Sequence, residues 1–101
     1  MTFGRGSDLN IRFTPTALAD LAQIHAYISD DDPLMADRVI GEILLSVSTL
    51  ENFPFIGRTG RVAGTRELSI VRLPYFAVYR LIENAEIDII TIRHQRRRDL
   101  V

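Results

Sequence analysis

The sequence contains no cysteine, no tryptophan and no lysine. Without cysteine, disulfide staples and thiolate chemistry are excluded. His25 and His94 are its only histidines, too few for an expected zinc site. No apolar run approaches the roughly 20 residues that span a bilayer. The first ten residues, MTFGRGSDLN, have no apolar core of the signal-peptide kind. A cytoplasmic protein is expected. Without lysine, all 12 cationic residues are arginine, the side chain suited to bidentate grip on phosphate or carboxylate. Genome base composition enriches arginine over lysine equally well, so the bias alone does not name a ligand.

What is present describes one folded domain. A chain of 101 residues fits a single domain over 1–101, with residues 1–8 expected to be loose. Hydrophobic residues make up 47% and charged residues 25%, enough apolar side chains for a core and enough charge for a wet surface. The net charge of −1 hides an asymmetry. Residues 1–57 carry 3 arginines and 8 acids, net −5; residues 58–98 carry 9 arginines and 4 acids, net +5; Asp99 completes the total. The second half is therefore expected to attract an anionic partner, nucleic acid or an acidic protein segment.

The pattern along the chain predicts β-α-α-β-β-β. Leu9–Phe13 alternates at period two, as a strand does. Thr14 and Pro15 are an N-cap hydroxyl and a proline at the first helical position. A helix over 15–29 follows, with Ala17, Leu21, Ile24 and Ile28 on one stripe. Asp30-Asp31-Asp32 then suits a helix start, with Asp32 as the cap. A metal site is the rarer use of such a run. The second helix is predicted over 33–52, striped by Ala36, Ile40, Ile43, Val47 and Leu50 and ended by Pro54. Gly41 is expected to let the helices approach closely. Phe53 and Phe55 are expected to pack under the hairpin. Residues 57–64 read as an exposed, conformationally free connector.

Three apolar runs follow: 66–73, 75–82 and 87–93, separated by Pro74 and Asn84. Alternation puts Leu68 and Ile70 toward the helices, with Glu67 and Ser69 opposite. It puts Phe76, Val78 and Arg80 on one side, and Ala77, Tyr79 and Leu81 on the other. In the last run Ile90 and Ile92 alternate with Ile89 and Thr91, so both faces are apolar and the strand should be central. The fold class is α+β, a helical hairpin packed on a mostly antiparallel twisted sheet.

Chemistry rests on the arginines around His94. Metal-free RNA cleavage needs a base for the 2′-hydroxyl, cations for the charged phosphorane and an acid for the leaving oxygen. His94 with Arg80 and Arg97 has those functional groups. The plainer reading has His94 ending a strand among solvated arginines. Tyr75 and Tyr79 read as packed rings with wet hydroxyls, and His25 as a boundary residue.

The ordered set FTPTALADLAQIHAYI, LENFPFIGRTGR, GTRELSI, PYFAVYR and IRHQRR, over residues 11–98, resembles the RelE/ParE family of bacterial type II toxins. That resemblance implies a cognate antitoxin with an acidic or amphipathic, ParD- or RelB-like C-terminal segment, and contact with operator DNA only through it. No cofactor, metal or membrane is expected. ParE-like members poison DNA gyrase by protein contact, whereas RelE-like members cut messenger RNA on the ribosome. The tail 94–101 has no tyrosine, and the family's sheet arginine falls near Val71, with Arg72 one place away. Arg97 fits the family's C-terminal basic residue. The sequence is closer to the ParE pattern. Gyrase inhibition and plasmid stabilisation are thus the expected role, with the ribosome-dependent nuclease, using Arg80, His94 and Arg97, as the alternative. A binding module that has lost toxicity is a third. The expected partner contacts are Arg58, Arg61, Arg66, Arg72, Tyr75, Arg96, Arg97 and Arg98.

Overall fold

The computed structural model describes residues 2–3, 9–83 and 85–96, with backbone alone for 2–3. Its elements are β1 (Thr2–Phe3), β2 (Asn10–Phe13), α1 (Pro15–Ser29), α2 (Pro33–Ser48), β3 (Arg58–Thr59), β4 (Arg66–Ser69), β5 (Tyr75–Ile82) and β6 (Glu86–His94). They build one six-stranded sheet in the order β1-β2-β6-β5-β4-β3. All pairs are antiparallel except β2 with β6. The α+β hairpin-on-sheet architecture is as the sequence predicts, and β6 is central. The sequence pattern does not reveal β1, β3 or the parallel pairing.

Each helix starts where its cap dictates. Thr14 Oγ1 accepts from Ala17 N at 3.1 Å, and Asp32 Oδ1 accepts from Met35 N at 3.1 Å. Proline follows both caps, where its missing N–H costs nothing. The first helix buries Ala17 and Leu21, and the second buries Ala36, Val39, Ile43 and Val47. α2 ends at Ser48, earlier than predicted. A single 3₁₀ turn, Thr49–Glu51, carries the chain on and buries Leu50. Gly41 does not mediate helix approach, since a Cβ there would meet nothing within 4 Å. No helix among the described residues is long and apolar enough to cross a membrane.

The core lies between the hairpin and one face of the sheet. Ile11 and Phe13 come from β2, Leu68 from β4, Ala77 and Tyr79 from β5, and Ile87, Ile89 and Ile92 from β6. Simple alternation fails in β6. Val78 pairs with Thr91 but Tyr79 pairs with Ile89, so Ile90 is an extra residue, a β-bulge. The bulge is why Ile89 and Ile92, rather than Ile90 and Ile92, face the core. α1 supplies its missing partners. Thr14 Oγ1 donates to Ile90 O at 2.8 Å. Asp20 Oδ2 accepts from Ile92 N at 3.0 Å and from the Thr91 hydroxyl. Both contacts satisfy backbone groups that an irregular ladder leaves open.

The other face of the sheet carries Arg12, Glu86, Asp88 and Arg80. Arg12 bridges to Glu86 at 3.3 Å and to Asp88 at 3.6 Å, so one arginine of the acidic half pairs with two acids of the basic half.

Candidate functional site

The connector at 57–64 is not conformationally free. Its anchor is Tyr79, which is fully buried. The Tyr79 hydroxyl donates to Pro54 O at 2.7 Å and accepts from Gly57 N at 3.0 Å. The expectation of a wet hydroxyl is thereby corrected. Gly57 has to be glycine: a Cβ would lie 2.7 Å from the Tyr79 ring and 2.8 Å from Glu67 O. Gly60 N donates to Thr65 O at 2.8 Å, closing a turn beyond β3. Burial raises the Tyr79 pKa above 10.0, against lowering contributions from the Gly57 bond and the Arg66 charge.

This pinned segment brings three of the sequence-predicted arginines together. Arg66 donates to Gly57 O at 2.8 Å and to Phe55 O at 3.3 Å, and its guanidinium lies 5.1 Å from the Phe55 ring centroid. Arg58 pairs with the buried Glu67 at 3.4 Å, and the Arg61 amide bonds the other oxygen of that carboxylate at 3.4 Å. Phe53 and Phe55 do not pack under the hairpin; they are 61% and 65% exposed, grouped with exposed Ile56. Proline and the Tyr79 anchor turn this segment along the sheet edge instead of beneath the helices. The result is an apolar surface edged by arginines, next to the short outer strand β3.

A second group forms at the far end of β5 and β6. An open cleft of about 690 Å³ lies between α1 and the strand ends, lined by Gln23, Ile24, Tyr27, Tyr75, His94 and Arg96 among others. Tyr75 pairs with His94 across the strands, their rings edge to face at 5.4 Å. His94 Nδ1 accepts from Arg96 N at 3.1 Å. Burial, and secondarily Tyr27, raises the Tyr75 pKa. Arg72 sits apart, in the β4–β5 turn, exposed and with φ 64°. Arg97 and Arg98 lie outside the described residues.

The structure does not unite His94 with Arg80. His94 pairs with Tyr75, five residues before Arg80 on β5. At the usual rise of about 3.3 Å per residue, the two are roughly 16 Å apart along the sheet. They also face opposite ways, since Ala77 and Tyr79 point to the core and Arg80 has the other parity. His25 is a boundary residue on α1, 2.9 Å from Asp37 of α2. No motif in the sequence marks Asp20 or Tyr27 as a site residue. The signal for Asp20 is an acid one position from the buried Leu21 stripe.

A helical hairpin on this mostly antiparallel sheet defines a small α+β class, and comparison gives the family. Residues 11–99 match the model described as ParE toxin of the type II toxin–antitoxin system parDE. A putative toxin of Sinorhizobium fredii, Y4kP, is 42% identical over 83% of this chain and 85% of its own. A toxin of Caulobacter vibrioides, RelE2, is 33% identical over 84% and 93%. Among solved structures, the chromosomal ParDE toxin–antitoxin system of P. aeruginosa is similar with TM-score 0.78 and 28% identity, over 86% of this chain and 96% of that one. The toxin–antitoxin complex RelBE2 of Mycobacterium tuberculosis shares the fold, with TM-score 0.56 and 24% identity over 83% and 94%. The chain belongs to the ParE toxin family of type II toxin–antitoxin systems, within the wider RelE/ParE group.

Proposed function

We propose that this toxin arrests growth by inhibiting DNA gyrase through protein contact, without cutting RNA, and that a cognate antitoxin neutralises it. The observation that carries the reading is the separation of His94 from Arg80. Acid–base catalysis needs its proton-transfer group and its cation around one reacting phosphate, and these two lie on opposite faces of the sheet. A contact poison needs no such convergence. It needs exposed anchors, which the arginine-edged apolar surface at 53–66 supplies. The family match to parDE toxins supports the same choice. The ribosome-dependent nuclease is the second reading. It is favoured by the relative named RelE2 and by the pairing of His94 with Arg96 in one cleft.

Expression of the chain alone is expected to stop bacterial growth, and co-expression of its cognate antitoxin to restore growth. His94→Ala and Arg80→Ala should retain the arrest, with potency changed less than about tenfold. Loss of a true acid–base group typically costs ~10²- to 10⁴-fold. Primer extension on total messenger RNA should show no new cuts. Vigorous growth with soluble toxin present would refute the toxin reading. New cuts in message that disappear in His94→Ala would refute the gyrase reading.

A further inference from the structure

We infer that Phe53, Phe55 and Ile56 seat on a folded, apolar, acid-rimmed surface of the toxin's enzyme target, and that the segment 53–57 is built to present them. The inference rests on the gyrase reading above and gives that contact a place on this chain. All three side chains are more than half exposed, and with Asn52 and Pro54 they line one shallow hollow of about 410 Å³. At the ~150–250 Å² that a buried aromatic side chain covers, the three present roughly 350 Å² of apolar surface. An apolar patch of roughly 300–600 Å² is the largest that a typical monomer exposes, and is often functional.

The backbone beneath the patch is fixed. Phe53 N donates to Thr49 O at 3.0 Å, and Phe53 O accepts from Ile56 N at 3.1 Å. Pro54 O and Gly57 N share the Tyr79 hydroxyl, and Phe55 O and Gly57 O accept from Arg66. Five consecutive residues are thus tied down while three large apolar side chains stay in solvent. A partner meets rigid anchors, so little ordering entropy is lost on binding.

Charge and shape select the occupant. Residues 52–66 carry Arg58, Arg61 and Arg66 and no acid, and Glu67 just beyond is buried. A second copy of this chain is disfavoured, because a two-fold contact would set one arginine rim against another. A nucleic acid strand needs cations along its backbone, whereas here Arg66 is drawn onto two carbonyls and Arg58 onto Glu67. An amphipathic segment that folds on binding lies along an extended groove, and this patch is short and rigid. A folded protein with an apolar pocket and an acidic rim matches both the anchors and the charge.

The test measures inhibition of purified gyrase, and direct binding of the toxin to the same enzyme, for Phe53→Ala, Ile56→Ala and Arg61→Glu. Each changes an exposed side chain and should melt as the wild type does. Each is expected to raise the inhibitory concentration and the dissociation constant by at least ~10-fold, while the cognate antitoxin binds within ~3-fold of its wild-type affinity. Leu34→Ala removes a largely exposed side chain at the opposite end of α2, a helix roughly 24 Å long, and should inhibit as the wild type does. Undiminished inhibition by both Phe53→Ala and Ile56→Ala would overturn this inference alone. An equal loss of antitoxin binding in those variants would overturn it by making the patch an antitoxin contact. Loss of binding to a short single-stranded oligouridylate, with inhibition unchanged, would overturn it in favour of nucleic acid. A toxin dimer in sedimentation equilibrium that Phe53→Ala dissolves, again with inhibition unchanged, would assign the patch to a second copy. Wild-type toxin that leaves gyrase unaffected would overturn the gyrase reading, and this inference with it.

Discussion

Tyr79→Ala is expected to destabilise the protein by ~4 kcal/mol or more, and Tyr79→Phe by ~1–3 kcal/mol. The alanine change deletes a fully buried ring, which in well-packed cores costs ~3–5 kcal/mol through lost transfer energy and the cavity left behind. Both changes also strand Pro54 O and Gly57 N, whose shared partner is the hydroxyl. An orphaned buried polar group costs ~1–3 kcal/mol. Against a typical total of ~5–15 kcal/mol for a domain, the alanine variant should be close to unfolded at physiological temperature. Denaturant titration of the two variants separates the ring from the hydroxyl. Equal stability of Tyr79→Phe and wild type would show that the loop is held by Arg66 and Glu67 alone.

The same hydroxyl gives a pH signature. Tyr79 has a folded pKa raised above the unfolded value of 10.0. Its contribution to stability is therefore complete below pH 10 and lost as pH rises through the folded value. Stability of the wild type should fall above about pH 10 more steeply than that of Tyr79→Phe.

Association with the antitoxin should slow by at least ~10-fold between low and high salt. Between ~0.01 M and ~1 M ionic strength the screening length contracts from about 30 Å to about 3 Å, so long-range steering is lost. The structure identifies the charges that produce the steering field. Glu67 is paired with Arg58, and Glu86 and Asp88 with Arg12. Arg72, Arg80 and Arg96 are exposed, without an ion pair among the described residues. Stopped-flow mixing at a series of salt concentrations measures the effect. A flat rate would mean that the apolar surface around Phe53, Phe55 and Ile56 directs the encounter without electrostatic help.

The parts of this fold that were legible in the sequence are those set by local rules. Thr14 and Asp32 read as caps because capping is decided by a hydroxyl or carboxylate three residues from an amide. Ala17, Leu21, Ile43 and Val47 read as core because helical spacing repeats. The remaining features depend on contacts between distant residues. The bulge at Ile90 is stabilised by Thr14 and Asp20, more than 70 positions away, and no local pattern in ITIRH marks it. The two-residue strand at Arg58 is too short to show alternation. It exists because Glu67 and Tyr79 hold it in place. Phe53 and Phe55 are exposed, which their hydrophobicity does not foretell, because it gives no direction once a proline has turned the chain.

The candidate site divides in the same way. Arg58, Arg61 and Arg66 are near in sequence and stay near in space. Tyr75 and His94 come together because two strands pair antiparallel. Arg80 and His94 look like companions on a list of basic residues, but strand parity and length separate them. Arg66 is drawn into bonds with Gly57 and Phe55, so part of the apparent cationic surface serves the fold.

The most direct measurement of the central proposal is supercoiling of relaxed plasmid by purified gyrase and ATP as toxin is added. Inhibition at near-stoichiometric toxin is expected, with cleaved DNA trapped on the enzyme, undiminished in His94→Ala and reversed by the antitoxin. Unimpaired supercoiling at large toxin excess, alongside site-specific cutting of ribosome-bound message by the same preparation, would contradict it.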